Sequence, residues 1–264
     1  MINKTAIAGV TTGSPVSMVR KIGVADLKDA LASGLDDFKA MPSHAVFLCI
    51  IYPIVAFFLG KLTVEANVLP LFFPLAAGFA LIGPFAAIGL YELSRRRENG
   101  QDVSFRHAFD ILRSPSIGSI AAVGIALMAI FIAWLEAAQR IYVLTFGQAT
   151  PESIADFARQ IFTTQAGWTL IILGNGVGFL FAVLALTISV VSFPLLLDRN
   201  VGAIAAMQMS IRVVLANPGT MAVWGLIVAG SLVIGSLPFF IGLAVVMPVL
   251  GHSTWHLYRK VLER

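Results

Sequence analysis

The dominant pattern along the chain is a series of long apolar blocks separated by short polar segments. Each block is close to the roughly 20 residues that a helix needs to cross about 30 Å of hydrocarbon. The pattern predicts six membrane-spanning helices, at about 43–60, 67–92, 116–138, 168–197, 219–236 and 238–257. The expected fold is therefore all-α, a polytopic membrane helical bundle.

Composition supports a membrane location. Hydrophobic residues make up 58% of the 264 positions and charged residues only 12%, against roughly 25% charged residues in soluble domains. A soluble fold has too little interior for so much apolar surface, so the lipid bilayer is the expected partner. The single cysteine, Cys49, lies in an apolar block and forms no intrachain disulfide.

The distribution of basic residues predicts how the chain is oriented. Fifteen of the eighteen lysines and arginines lie before the first predicted span, between spans two and three, between four and five, or after six. Positive residues accumulate on the cytoplasmic side of membrane proteins, so both termini are expected there. The basic run 94–100 is expected to favour anionic lipids at that face. No nucleic-acid partner is expected.

Three prolines indicate an internal repeat. Pro42, Pro115 and Pro218 each precede a predicted span and follow a stretch with helical apolar spacing. Four and seven residues before each proline stand Phe38 and Leu35, Ile111 and Ala108, and Val214 and Ile211. Because charged residues occupy the other face, the stretches are predicted to be amphipathic helices on the cytoplasmic surface. The unit is one surface helix followed by two spans.

These patterns predict the domain organisation. Residues 1–20 are expected to be a disordered cytoplasmic N-terminus, and residues 21–264 a single six-span membrane domain. The predicted repeats are 21–92, 103–197 and 200–257. Between spans three and four, Thr150 and Pro151 suit the N-cap and first turn of an additional short helix on the outer surface.

Three motifs resemble a known bacterial family. They are "GPFAAIGLYELSRRRENG" (83–100), "SFPLLLDR" (192–199) and "PVLGHSTWHLYR" (248–259). With them the chain, from about residue 20 onward, resembles the predicted integral membrane proteins named domain of unknown function 2189. The resemblance implies a location in the bacterial inner membrane. It implies no catalytic or binding residue.

A polar cluster at the cytoplasmic ends of the spans is the candidate site. Six residues are expected at similar depth there: Tyr91, Glu92, Asp198, Arg199, His252 and His256. His252 and His256 share a helix face, so together they could bind a metal, with Glu92 or His44 completing the site. The alternative is that these side chains anchor the interface and bond neighbouring spans.

Within the predicted spans, Asn175 is the candidate polar contact. It lies between Gly174 and Gly178, a pair that permits close approach of a neighbouring helix to which Asn175 could hydrogen-bond. No charged residue falls at the predicted membrane midplane, which argues against ion-coupled transport. No phosphate-binding loop or hydrolase motif occurs either, and we expect no cofactor.

These observations favour a non-catalytic membrane component, such as an accessory, assembly or envelope-organising protein that contacts other membrane proteins. Two alternatives stay open. One is a permease or flippase for a small or amphipathic molecule. The other is a metal-binding or enzymatic protein that uses the histidine and carboxylate cluster.

Overall fold

A computed structural model describes residues 19–41, 54, 57–58, 61, 69–81, 83–148, 151, 153–238 and 240–262. The predicted disordered segment up to residue 18 lies outside this part. So do Pro42, His44 and Cys49, and most of the span predicted at 43–60. The described part is helical, with one isolated antiparallel bridge between Val19 and Leu262.

The α-helices follow one another along the chain as α1 (Val24–Ala40), α2 (Phe72–Leu81), α3 (Gly83–Ala86), α4 (Ile88–Glu98), α5 (Ile117–Phe146), α6 (Ile154–Thr163), α7 (Gln165–Ser189), α8 (Ser192–Asp198), α9 (Ala203–Ala216), α10 (Pro218–Ser236) and α11 (Leu243–Val261). Two 3-10 helices, Leu69–Leu71 and Phe105–Arg113, precede α2 and α5.

Three segments of the described part are long and apolar enough to cross a membrane. They are α5, the α7–α8 stretch Gln165–Asp198, and α10. They confirm the spans predicted at 116–138, 168–197 and 219–236. Of the other predicted spans, 67–92 contains several shorter helices. The span at 238–257 corresponds to α11, whose second half is polar.

The spans bury one side and expose the other. In α5, Ile120, Val123 and Leu127 are buried at helical spacing, whereas Ile125 is 70% exposed. Helix α5 packs against α7 and α2. The contact between α5 and α2 includes a hydrogen bond, in which the indole Nε1 of Trp134 donates to the carbonyl of Pro74 at 2.9 Å. The exposed apolar face is the one that lipid covers.

Helix α1 packs along α11. Its buried residues are Leu27, Ala30, Gly34 and Asp37, whereas Leu35 is 40% exposed. Leu35, a position on the predicted apolar face, thus lies outside this contact. Close approach of two helices requires small residues at the contact, so the face that carries Gly34 packs against α11.

The start and end of the described chain meet. The backbone N–H of Arg20 donates to the carbonyl of Val261 at 2.9 Å. Asn217, just before α10, accepts a hydrogen bond from the N–H of Ile22 at 2.9 Å, and Thr220 donates to the Ile22 carbonyl at 2.9 Å. The segment before α1 is thereby attached to α11 and to the beginning of α10.

Helices precede the aligned prolines, as the spacing predicts. The 3-10 helix Phe105–Arg113 ends two residues before Pro115, and α9 ends two residues before Pro218. Helix α6 lies in the predicted position between α5 and α7. Its N-cap, however, is Ser153, whose hydroxyl accepts from the N–H of Asp156, so the expected cap at Thr150 is wrong.

Candidate functional site

A buried polar cluster joins three helices around Asp37. Asp37 of α1 is only 2% exposed, and Ser94 of α4 and His252 of α11 are fully buried. The Ser94 hydroxyl donates to Asp37 Oδ2 at 2.6 Å and lies 2.7 Å from Nδ1 of His252. His256 Nε2 lies 2.8 Å from the same Oδ2, and Arg97 pairs with Oδ1. These five residues form the Asp37 cluster.

The hydrogen-bond directions within the Asp37 cluster follow from its donors. A carboxylate only accepts, so Nε2 of His256 donates to Asp37. Since the Ser94 hydroxyl hydrogen points to Asp37, Nδ1 of His252 must itself carry the hydrogen that bridges to Ser94. Nε2 of His252 is buried with no hydrogen-bond partner among the described residues. The polar groups of the cluster therefore connect the three helices, and Nε2 of His252 is the one imidazole nitrogen that takes no part.

The environment of Asp37 favours its ionised form. Burial alone would raise the pKa of this carboxyl group, but the hydrogen bonds from His256, Ser94 and Arg97 outweigh it, so the pKa lies below its ordinary value of 3.8. Asp37 is consequently a carboxylate at neutral pH.

A second cluster lies one turn further along α11. Asp198, at the end of α8, accepts from the hydroxyl of Tyr258 at 2.6 Å and from Nη1 of Arg259 at 3.0 Å. Glu98 of α4 accepts from Nε1 of Trp255 at 3.0 Å and from Nε of Arg259 at 2.9 Å. We call these five residues the Asp198 cluster. Arg259 connects two carboxylates that belong to different helices.

Tyr258 in the Asp198 cluster stays protonated. Burial raises the pKa of its hydroxyl group, and the hydrogen bond to the Asp198 carboxylate raises it further. The guanidinium carbon of Arg259 also lies 4.9 Å from the centre of the Trp255 ring, a cation–π distance. The cluster thus combines ionic, hydrogen-bond and aromatic contacts.

An open cavity of about 340 Å³ lies beside the Asp198 cluster, and Asp198 is part of its lining. Glu92 in its wall accepts from Nε of Arg95 at 2.8 Å and from Nε of Arg96 at 2.9 Å. Arg96 continues to Asp110 at 2.8 Å, which joins α4 to the 3-10 helix Phe105–Arg113. Because arginines from several elements converge on it, we call this cavity the arginine pocket.

The structure places five of the six predicted cluster residues in these clusters and this pocket, and the sixth, Tyr91, apart from them. His252 and His256 meet in the Asp37 cluster. Glu92, Asp198 and Arg199 line the arginine pocket. Tyr91 is buried separately, only 2% exposed.

Several residues of the clusters escaped prediction from the sequence. Asp37, Ser94, Arg97 and Glu98 are the main ones. A signal for Asp37 was present, because it continues the helical spacing of Leu27, Ala30 and Gly34. For Ser94 and Glu98 there was none, since their partners on α11 lie more than 150 residues away along the chain and Asp37, the other partner of Ser94, lies 57 residues away.

Two further site predictions concerned a metal site and the intramembrane contact of Asn175. Within the described residues, no group of three or more His, Cys, Asp or Glu could hold a metal ion. His44 lies outside that part of the chain. Asn175 is exposed on α7 and donates through Nδ2 to the carbonyl of Ile171 in its own helix, at 2.8 Å.

The described helices and their apolar outer faces define the class of the protein: an integral membrane protein that is helical throughout its described part. Residues 72–198 match the family model described as "Predicted integral membrane protein (DUF2189)". Over that part the chain is similar to this family, which confirms the resemblance there. Two of the three motifs lie almost wholly within the match, and the one at 248–259 lies outside it. Searches of curated proteins and of solved structures gave no match.

Proposed function

We propose that the protein is a non-catalytic, multi-pass component of a bacterial inner membrane, acting as an accessory, assembly or envelope-organising subunit. The observation that carries this proposal is the use of its buried polar groups. Three carboxylates at the polar end of the molecule, Asp37, Asp198 and Glu98, accept hydrogen bonds from neighbouring helices.

The hydrogen-bond partners favour a structural role for the clusters. Asp37 accepts from three side chains, and Asp198 and Glu98 each accept from two. A general base needs a lone pair directed at a substrate within hydrogen-bond reach. In a carboxylate whose oxygens are already occupied, a structural role is the more economical interpretation. Such a scaffold suits a protein that works through its outer surfaces.

The proposed topology has six spans in three repeats, with both termini in the cytoplasm. The count of basic residues supports the orientation. The bridge between Val19 and Leu262 supports an even number of spans, because it brings the two ends of the chain to one side. Helix α11 and the helical stretch from Leu69 to Glu98 supply apolar segments for two of the additional spans.

Native mass spectrometry tests the proposed function. The full-length protein would be extracted from its own membrane in a lipid-retaining polymer. We expect a second protein bound at fixed stoichiometry, retained when the polymer is diluted and lost in a harsher detergent. The protein alone, or the protein with a stoichiometric metal or small molecule, would contradict an accessory role.

A further inference from the structure

The arginine pocket lies where two membrane spans end. Ser116, the residue before the first turn of α5, and Asp198, the last residue of α8, both line it. The ends of spans lie at the depth of the lipid headgroups. A ligand in the pocket would thus be at the level of lipid phosphates on that side of the membrane.

The charge of the pocket favours an anion. Four guanidinium groups line it: Arg95, Arg96, Arg113 and Arg199. Three carboxylates also line it, and each accepts from at least one arginine. Arg259 pairs with Asp198 from outside the lining, but it pairs with Glu98 as well, so it adds no net charge. In the lining itself, four guanidinium groups outnumber three carboxylates, and the balance at the pocket is positive.

Of the four arginines that line the pocket, Arg113 is the best placed to contact a ligand. It is exposed, and it has no ion-pair partner among the residues that the structure describes. It ends the 3-10 helix Phe105–Arg113, on which Phe109 is 50% and Leu112 66% exposed. A cationic group beside exposed apolar side chains at the end of a span matches the two parts of a phospholipid, its phosphate and its acyl chains.

We propose that the arginine pocket binds the phosphate group of an anionic phospholipid. Arg113 contacts the phosphate oxygens through its planar, forked set of donors, a geometry that matches phosphate. The positive N-terminal end of the 30-residue helix α5 adds to the attraction. The acyl chains lie along Leu112 and Ile117, which are both exposed. This site is independent of the proposed function.

The chain supplies a matched pair of variants for the test. Arg113→Gln removes a charge in the pocket. Arg106→Gln removes one from the same 3-10 helix, at an exposed position outside the pocket. Purified full-length protein and both variants would be titrated in detergent with phosphatidylglycerol, with phosphatidylcholine and with inorganic phosphate. Native mass spectrometry would count the bound molecules.

We expect one phosphatidylglycerol per chain, bound more tightly than phosphatidylcholine. Arg113→Gln should weaken this binding about tenfold, because a charge-assisted contact is lost, whereas Arg106→Gln leaves it unchanged. Equal losses in both variants would reveal only a diffuse surface charge and overturn the site. Inorganic phosphate that displaces the lipid at equal concentration would assign the pocket to a free anion instead. Equal unfolding midpoints would show that both variants fold.

Discussion

At the scale of single residues, Asp37 is the acceptor that connects α1 to two other helices. It accepts from Ser94 and Arg97 of α4 and from His256 of α11. Breaking such a buried set by removing one member leaves the remaining polar groups without a partner. The side chain therefore stabilises the packing of all three helices.

Replacing Asp37 with asparagine should lower the free energy of unfolding by about 2 kcal/mol, as expected for hydrogen bonds to a charged acceptor. Asp36→Asn is the matched control, because Asp36 is adjacent but exposed. It should stay within about 0.5 kcal/mol of the wild type. Unfolding in mixed micelles, followed by tryptophan fluorescence, measures both. An equal loss of unfolding free energy in the two variants would show that Asp37 does not stabilise the packing of the three helices.

The difference in stability between the wild type and Asp37→Asn should depend on pH. The folded-state pKa of Asp37 lies below its ordinary value of 3.8, so the stability it contributes is present above that value. It is lost as the pH falls through the folded-state pKa. The advantage of the wild type over Asp37→Asn should thus persist down to about pH 5 and shrink below pH 3.8.

At the scale of elements, the contact between α1 and α11 depends on a small residue. A Cβ added at Gly34 would lie 2.5 Å from the backbone nitrogen of Ser253, closer than atoms pack. A backbone atom cannot rotate away as a side chain can. The two helices would have to separate.

Gly34→Ala should therefore destabilise the protein by about 1–3 kcal/mol, the usual cost of overpacking. The control is Gly118→Ala in the first turn of α5, where a Cβ would meet no atom within 4 Å. That variant should lie within about 0.5 kcal/mol of the wild type. The same micelle unfolding experiment measures both. An unchanged Gly34→Ala protein would show that α1 does not pack closely on α11.

At the scale of the whole molecule, the two ends of the described chain lie together, beside the polar clusters. Lys260 near the end of α11 pairs with Asp29 of α1 at 3.0 Å, in addition to the bridge at Val19. The polar end thus gathers α1, α4, α8 and α11. The proposed topology assigns this end to the cytoplasm.

Cysteine labelling tests that topology. In a Cys49→Ser background, Gln148→Cys lies after α5 and Asn99→Cys lies after α4. A membrane-impermeant maleimide should label position 148 in intact cells and position 99 only in inside-out vesicles. The reverse pattern, or labelling of both positions from outside, would overturn the proposed orientation.

Much of the helix pattern was predictable from the sequence. Span positions such as 219–236 follow from apolar length alone, because the bilayer sets that length whatever the partners. The helices before Pro115 and Pro218 were predictable from local spacing. The 3-10 form of the first, the Ser153 cap and the face of α1 that packs against α11 were not, since these depend on which neighbour each element meets.

The sequence by itself determined that the chain is an apolar, helical membrane protein, and that histidines and carboxylates gather at the ends of its spans. Only the tertiary structure decided how they pair. His256 could not be assigned to Asp37 from the sequence, because 219 residues separate them and any carboxylate at that depth would serve equally. Periodicity fixes the face that a residue occupies within its own helix, whereas its partners on other helices follow from how the helices pack. Here Gly34 lets α1 approach α11 closely enough for Asp37 to reach both α11 and α4.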